Sequence, residues 1–168
     1  QFRPGFFTGV CTVVMKLFAC VFATTGGGCA VFGQKDYQQL MVIRRMVQQF
    51  ALPIEIIGAD TARAADGLAL SSRTGYLSGE GRQQATALSQ ALAALAAAAR
   101  AGHAPLADLE AHAMQALRAQ GWQPDYLTVR ERSTLQAPQA STALADVPLV
   151  ALGAARLGST RLIDNLEF

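Results

Sequence analysis

Apolar side chains run almost all the way round residues 10–23, VCTVVMKLFACVFA, the distribution of a helix sandwiched between layers. The glycines at 26–28 permit a sharp turn, and CAVFG at 29–33 is a short continuous apolar run ended by glycine. That is the form of a buried parallel strand. In DYQQLMVIRRMVQQF at 36–50, Leu40, Ile43, Val47 and Phe50 recur at helical spacing, with Arg44, Arg45, Gln48 and Gln49 on the other face. Asp36 is placed to cap this helix. LPIEIIGAD at 52–60 alternates as a strand does. Helix, strand, helix and strand in this order predict a right-handed crossover in a parallel sheet, too little of one to make a whole Rossmann-like domain.

The pattern changes after residue 62. Residues 78–101 predict an alanine-rich helix that Ser78 can cap despite the interior Gly81, and 105–120 a second helix ended by Gly121. DYLTVRERSTL at 125–135 alternates as a strand, and PLVALGAARLGSTRLIDNLEF reads as strand, loop and final strand. Helices followed by strands on short links imply a small α+β domain. The fold class is therefore α/β: a partial Rossmann-like parallel sheet over 1–62, then a small α+β domain over 63–168.

Composition narrows the classes of function. The chain has 168 residues, 51% hydrophobic and 15% charged, with a net charge of +2. This is a globular balance rather than a disordered one. Its cations are scattered, which argues against a nucleic-acid face. Cys11, Cys20 and Cys29 form no C-x-x-C pattern and sit in apolar surroundings, so they read as reduced core residues of a cytosolic protein. Lys16 is the only charge between Phe6 and Phe32. Its central place, at an insertion cost of roughly 2.5–3.5 kcal/mol, weighs against membrane insertion.

Three stretches could carry chemistry. VFGQKDYQQ at 31–39 lies where a strand hands over to a helix, the place where open α/β sheets bind ligands. Gly33 admits close backbone approach, the helix start offers N–H groups, Lys35 adds a point charge, and Gln38 and Gln39 could grip hydroxyls or a carboxylate. By spacing alone an Asp-capped helix with a surface lysine explains the stretch better. In DGLALSSR at 66–73, Ser71, Ser72 and Arg73 offer donors suited to phosphate oxygens, with Leu68 and Leu70 as apolar anchors. A polar turn before the helix capped by Ser78 is an equal alternative. RLGSTRLIDN at 156–165 reads as strand, turn and strand. His103 and His112 stand nine apart without acidic or cysteine partners, a poor metal pair.

Taken in order, RPGFFTGVCTVVMKLF at 3–18, VFGQKDYQQLMVIRRM at 31–46, ADGLALSSRTGYLS at 65–78 and LGSTRLIDN at 157–165 resemble the pantothenate synthetase family of the nucleotidyltransferase superfamily. The resemblance implies a two-step amide synthesis. The carboxylate of pantoate attacks the α-phosphate of ATP, giving pantoyl adenylate and pyrophosphate; the amine of β-alanine then displaces AMP. It implies that Gly33, Gln34, Lys35 and Asp36 meet ATP, with Lys35 on the phosphates, and that Gln39 holds pantoate. It further implies that Leu70, Ser71, Ser72 and Arg73 form a KMSKS-like loop over the triphosphate, and that the backbone at Ala62 touches the nucleotide. Lys35, Ser71, Ser72 and Arg73 would be the catalytic set. Magnesium would accompany ATP, no protein-bound metal is expected, and a cytoplasmic homodimer without nucleic-acid or membrane partners is implied.

The chain departs from the family pattern at several points. Phe6 and Thr8 stand for a histidine and an arginine, Gln34 for a glutamate, Thr74 for an asparagine, and TTGGG at 24–28 for a shorter proline-containing link. The family's HxGH phosphate motif has no counterpart in the 168 residues. The expectation is therefore a chain weakly active or inactive by itself. A non-catalytic or split nucleotide-binding module is the alternative, and a different adenylate-forming transferase a third.

Overall fold

A computed structural model of the chain describes residues 4–139 and 144–168. The chain divides into two compact units, Gln1–Thr61 and Ala62–Phe168. In the first, helix α1 (Pro4–Thr25) is followed by strand β1 (Gly28–Gly33), a 3-10 turn (Gln34–Asp36), helix α2 (Tyr37–Gln49) and strand β2 (Ile54–Ala59). β1 and β2 pair in parallel, from Gly28 opposite Ile54 to Gly33 opposite Ala59. The glycine run is required at one point: a Cβ on Gly27 would lie 2.8 Å from the carbonyl oxygen of Pro53.

One face of this two-stranded sheet is covered. Ala30, Phe32, Ile54 and Ile56 pack with Ile43, Met46 and Val47 of α2 and with Val14 and Phe18 of α1. The Phe18 and Phe32 rings meet edge to face at 6.5 Å. The strand period of two sends Cys29, Val31 and Ile57 to the opposite face. There Val31 is 62% exposed. The apolar run at 29–33 predicts burial on both faces, and the structure buries one.

Helix α1 corrects the sequence reading more strongly. It begins six residues earlier than residue 10, running through Gly5 and Gly9, and it is not sandwiched. Val14 and Phe18 are buried, while Phe6, Val13, Leu17, Val21 and Phe22 face outward. Over Gly5–Thr25 the mean hydropathy is 2.0 with 11% of the window buried, so α1 is long and apolar enough to cross a membrane by length and composition. All-round apolarity thus marks a helix with uncovered faces, because among the described residues only the stripe through Val14 and Phe18, with Val10, Cys11 and Met15 at its edge, packs into the core. Cys20 and Cys29 are exposed and Cys11 half-buried, so they are free thiols but not core residues. Phe50, expected on the apolar stripe of α2, lies beyond its end and is exposed.

The second unit is helices on one face of an antiparallel sheet. Helices α3 (Gly79–Ala101) and α4 (Leu106–Ala119) precede strands β3 (Gln123–Glu131), β4 (Leu149–Leu157) and β5 (Thr160–Glu167), in sheet order β3-β4-β5. Ser78 caps α3, its hydroxyl accepting from the Gly81 N–H at 3.0 Å. β3 starts and stops earlier than 125–135, since residues 132–134 already turn. Leu88, Leu92 and Leu95 of α3, Leu117 of α4, Trp122, Leu127, Val129 and Leu149 form the core. α3 lies close to β4 because small residues line the contact: a Cβ on Gly153 would come within 3.0 Å of Leu88 and 3.2 Å of Leu92.

Leu117 is fully buried. Leu117→Ala should destabilise the second unit by about 2–5 kcal/mol, through lost burial and the cavity left behind. The single tryptophan, Trp122, is buried in that core, so urea unfolding followed by its fluorescence reads this unit. In the first unit, Val31→Lys should raise the monomeric fraction in sedimentation, because a charge on an open apolar face opposes association. An unchanged distribution would count against that face as the sticky one.

Candidate functional site

In the first unit Gly33, Gln34, Lys35 and Asp36 are brought together at the junction of β1 and α2. Gly33 is extended (φ −68°, ψ 134°) and the next three residues make the 3-10 turn. Asp36 occupies the N-cap position of α2, but its side chain makes no capping bond, contrary to expectation. Its backbone (φ −88°, ψ 61°) belongs to the tight turn that precedes the helix. The start of α2 thus carries the partial positive charge of a helix N-terminus, with Lys35 half-buried beside it.

Gln39 lies within the first turn of α2 and lines an open groove of about 520 Å³ with Gly5, Phe6, Gly9, Val10 and Val13 of α1. Among the described residues Gln39 is the only polar side chain in the lining, so the groove can take an apolar body and fix one polar end. A Cβ on Gly5 or Gly9 would meet nothing within 4 Å, so these two glycines leave the space open. The sequence reading missed the α1 side of this groove. The signal for it was Gly5 and Gly9, four apart and hence on one helix face. Arg3, quoted within the first motif, lies outside the described residues.

In the second unit the stretch from Ala62 to Tyr76 folds on itself. The Leu70 N–H donates to the Ala62 carbonyl at 2.9 Å, Ala64 N–H to Leu68 at 3.0 Å, and Gly67 N–H to Ala64 at 2.9 Å. Gly67, at φ +86°, makes the turn, where a side chain would be strained. Leu68 is buried as expected, whereas Leu70 is 43% exposed rather than buried as an anchor. Ser72–Tyr76 is a 3-10 turn rather than a plain loop. Thr74 secures its start: its hydroxyl donates to the Ser71 carbonyl at 2.6 Å and accepts from the Ser71 N–H at 3.3 Å. Among the described residues the buried Ser71 hydroxyl has no hydrogen-bond partner, while Ser72 and Arg73 are exposed. An unpartnered buried hydroxyl is costly and invites a ligand or water.

β5 supports this stretch. Arg63 forks onto the Asp164 carboxylate at 2.8 and 2.9 Å. That hydrogen bond, against the opposing effect of burial, lifts the Arg63 guanidinium above its ordinary value. Arg73 donates to the Arg161 carbonyl at 3.4 Å, and the Arg161 side chain donates to Asp125 at 2.7 Å. Asp164 escaped the sequence reading, although an acid inside the apolar run RLIDNL was a visible anomaly. His103 and His112 are both exposed and join no cluster. Among the described residues no group of three or more His, Cys, Asp and Glu is placed to hold a metal.

Burial raises the Tyr126 phenol above its ordinary 10.0, with nearby Arg161 opposing and Asp125 adding to the shift. A raised folded-state value means a contribution present in full below the unfolded value and lost as pH rises through the folded one. Stability of the second unit should therefore fall above about pH 10. Tyr126→Phe should flatten that limb in a fluorescence-monitored urea series; an unchanged slope would assign it elsewhere.

The family model for pantoate-beta-alanine ligase matches residues 1–167. A pantothenate synthetase of Paracidovorax citrulli is 67% identical over 171 aligned residues, covering 100% of this chain and 59% of the relative. One from Leptothrix cholodnii is 68% identical, covering 99% of this chain and 57% of the relative. The chain thus spans somewhat under three fifths of the length of these relatives. Among solved structures, pantothenate synthetase from Thermus thermophilus matches with a TM-score of 0.81 at 42% identity, over 98% of this chain and 56% of that one. Pantoate-beta-alanine ligase from Francisella tularensis, complexed with beta-gamma ATP and beta-alanine, matches with a TM-score of 0.65 at 28% identity, over 98% and 51%. With the family model matching residues 1–167 and relatives 67% and 68% identical across the chain, the chain belongs to the pantoate-beta-alanine ligase family.

Proposed function

We propose that the chain carries nucleotide- and pantoate-binding parts of an ATP-dependent ligase that joins pantoate to β-alanine through pantoyl adenylate, giving pantothenate, AMP and pyrophosphate. The observation that carries this reading is the family match over residues 1–167. The Francisella tularensis relative, complexed with beta-gamma ATP and beta-alanine, supports the ligand classes.

The roles follow from the chemistry each residue can perform. Pantoate's carboxylate attacks the α-phosphate of ATP, so negative charge builds on phosphate oxygens and pyrophosphate departs. Lys35, at the start of α2, supplies a compact positive charge there, with the backbone from Gly33 to Asp36 approaching the nucleotide. Ser71, Ser72 and Arg73 supply hydroxyl and guanidinium donors to the triphosphate, and the backbone at Ala62 and Leu70 borders the nucleotide. The orphaned Ser71 hydroxyl gains a partner in the process. Gln39 binds pantoate at the polar end of a groove whose apolar wall suits a branched aliphatic body. In the second step the β-alanine amine attacks the acyl carbon and AMP leaves. No covalent enzyme nucleophile is needed, because positioning and charge stabilisation lower both barriers. Mg2+ enters with ATP as part of the substrate.

A cytoplasmic homodimer without membrane or nucleic-acid partners fits such a biosynthetic ligase. Lys16 in the middle of α1 favours covering of that helix by protein over lipid.

Titration of the chain with MgATP tests the assignment. Arg73 is exposed, so Arg73→Ala should change stability by no more than about 0.5 kcal/mol. It should weaken ATP by roughly tenfold or more, the size of a lost charge-assisted hydrogen bond. Lys35→Ala should act in the same direction. Parallel losses in folding and binding would return the loop to a plain turn.

A further inference from the structure

We propose that Arg63 is the positioning residue of the DGLALSSR loop, using the buried carboxylate of Asp164 as its anchor. The inference rests on the reading that this loop meets nucleotide phosphates. Four contacts carry it. Arg63 Nη1 donates to Asp164 Oδ2 at 2.8 Å and to the Gly67 carbonyl at 3.0 Å. Arg63 Nη2 donates to Asp164 Oδ1 at 2.9 Å and to the Asn165 carbonyl at 3.0 Å. One guanidinium therefore binds β5 through its side chain and backbone, and the apex of the loop through Gly67.

The anchor is fixed independently. Only 4% of the Asp164 side chain is exposed, and Oδ1 also accepts from the Asn165 N–H at 2.8 Å. A carboxylate so placed cannot reorient without losing several bonds at once. The loop stems close on either side of Arg63: Ala62 pairs with Leu70, Ala64 with Leu68, and Arg63 bridges Ala69. Leu70 leads directly into Ser71 and the 3-10 turn at Ser72–Tyr76. The direction in which Ser71, Ser72 and Arg73 leave the hairpin is thereby set by where Arg63 holds it.

The hydrogen bonds of the Arg63 guanidinium go to Gly67, Asp164 and Asn165, residues not assigned to phosphate. It acts through the loop, and a planar fork is required to bridge two backbone carbonyls and a carboxylate together. Lysine keeps the charge but lacks that geometry.

Amide hydrogen exchange on the full chain, with MgATP titration beside it, tests the proposal. In Arg63→Ala the Ala64, Gly67 and Leu70 amides should exchange about tenfold faster or more, while those of α3 and β4 stay protected. Arg63→Lys should leave the core equally protected but fail to restore the loop. Asp164→Asn, which keeps the shape and weakens the fork, should give the same loop signature and guards against a misfolded alanine variant. ATP affinity should fall in step with loop opening. Unchanged loop protection in Arg63→Ala and Asp164→Asn, or core and loop exchange rising together, would overturn the positioning role. If the unsubstituted chain binds no ATP while the loop signature appears, the functional reading fails and the role of Arg63 in shaping the loop stands.

Discussion

A buried carboxylate governs the second unit. Asp164 sits in the last strand with only 4% of its side chain exposed, where an unpaired charge would be costly. The guanidinium of Arg63, about a hundred residues earlier in the chain, makes the position tenable. Because that guanidinium is also hydrogen-bonded to Gly67, the requirement to satisfy Asp164 becomes a requirement on the shape of the loop. Close packing of α3 on β4 through Gly153 and several alanines gives the sheet the rigidity against which such a tie is useful. Side-chain satisfaction, core packing and loop geometry are in this way one constraint seen at three distances.

Much of the architecture is legible from periodicity. The crossover between β1 and β2, the helices at 78–101 and 105–120, and the final strand, turn and strand all follow from local pattern, because glycine and spacing act over a few residues. Burial is what local pattern misjudges. The all-round apolarity of α1 and the run CAVFG predict enclosure, yet a side chain's exposure depends on what lies against it, and no short stretch of sequence records that. The same gap explains Cys20, Cys29 and Phe50. For Asp36 the pattern finds the right place and the wrong task, since the 3-10 turn before α2 holds its backbone away from capping geometry.

The candidate site is legible in a different way. Gly33 to Asp36, Gln39 and Ser71 to Arg73 emerge through motifs whose order matters more than their composition, and spacing alone leaves each of them undecided. The structure adds what motifs omit. It shows the groove wall contributed by Gly5, Phe6 and Gly9, the buried Ser71 hydroxyl with no partner among the described residues, and Leu70 standing half-exposed instead of buried as an anchor. The tie between Arg63 and Asp164 joins residues too far apart in sequence for any short pattern to connect.

The open face of the β1–β2 sheet has a thermodynamic consequence. A unit whose strands bury one side only, and whose longest helix leaves most of its apolar surface in water, has less apolar burial to set against the entropy of folding. Any partner that binds the folded form alone adds to that free energy in proportion to the logarithm of its concentration. The melting temperature of the first unit should therefore rise with the concentration of whatever covers Val31 and Ile57.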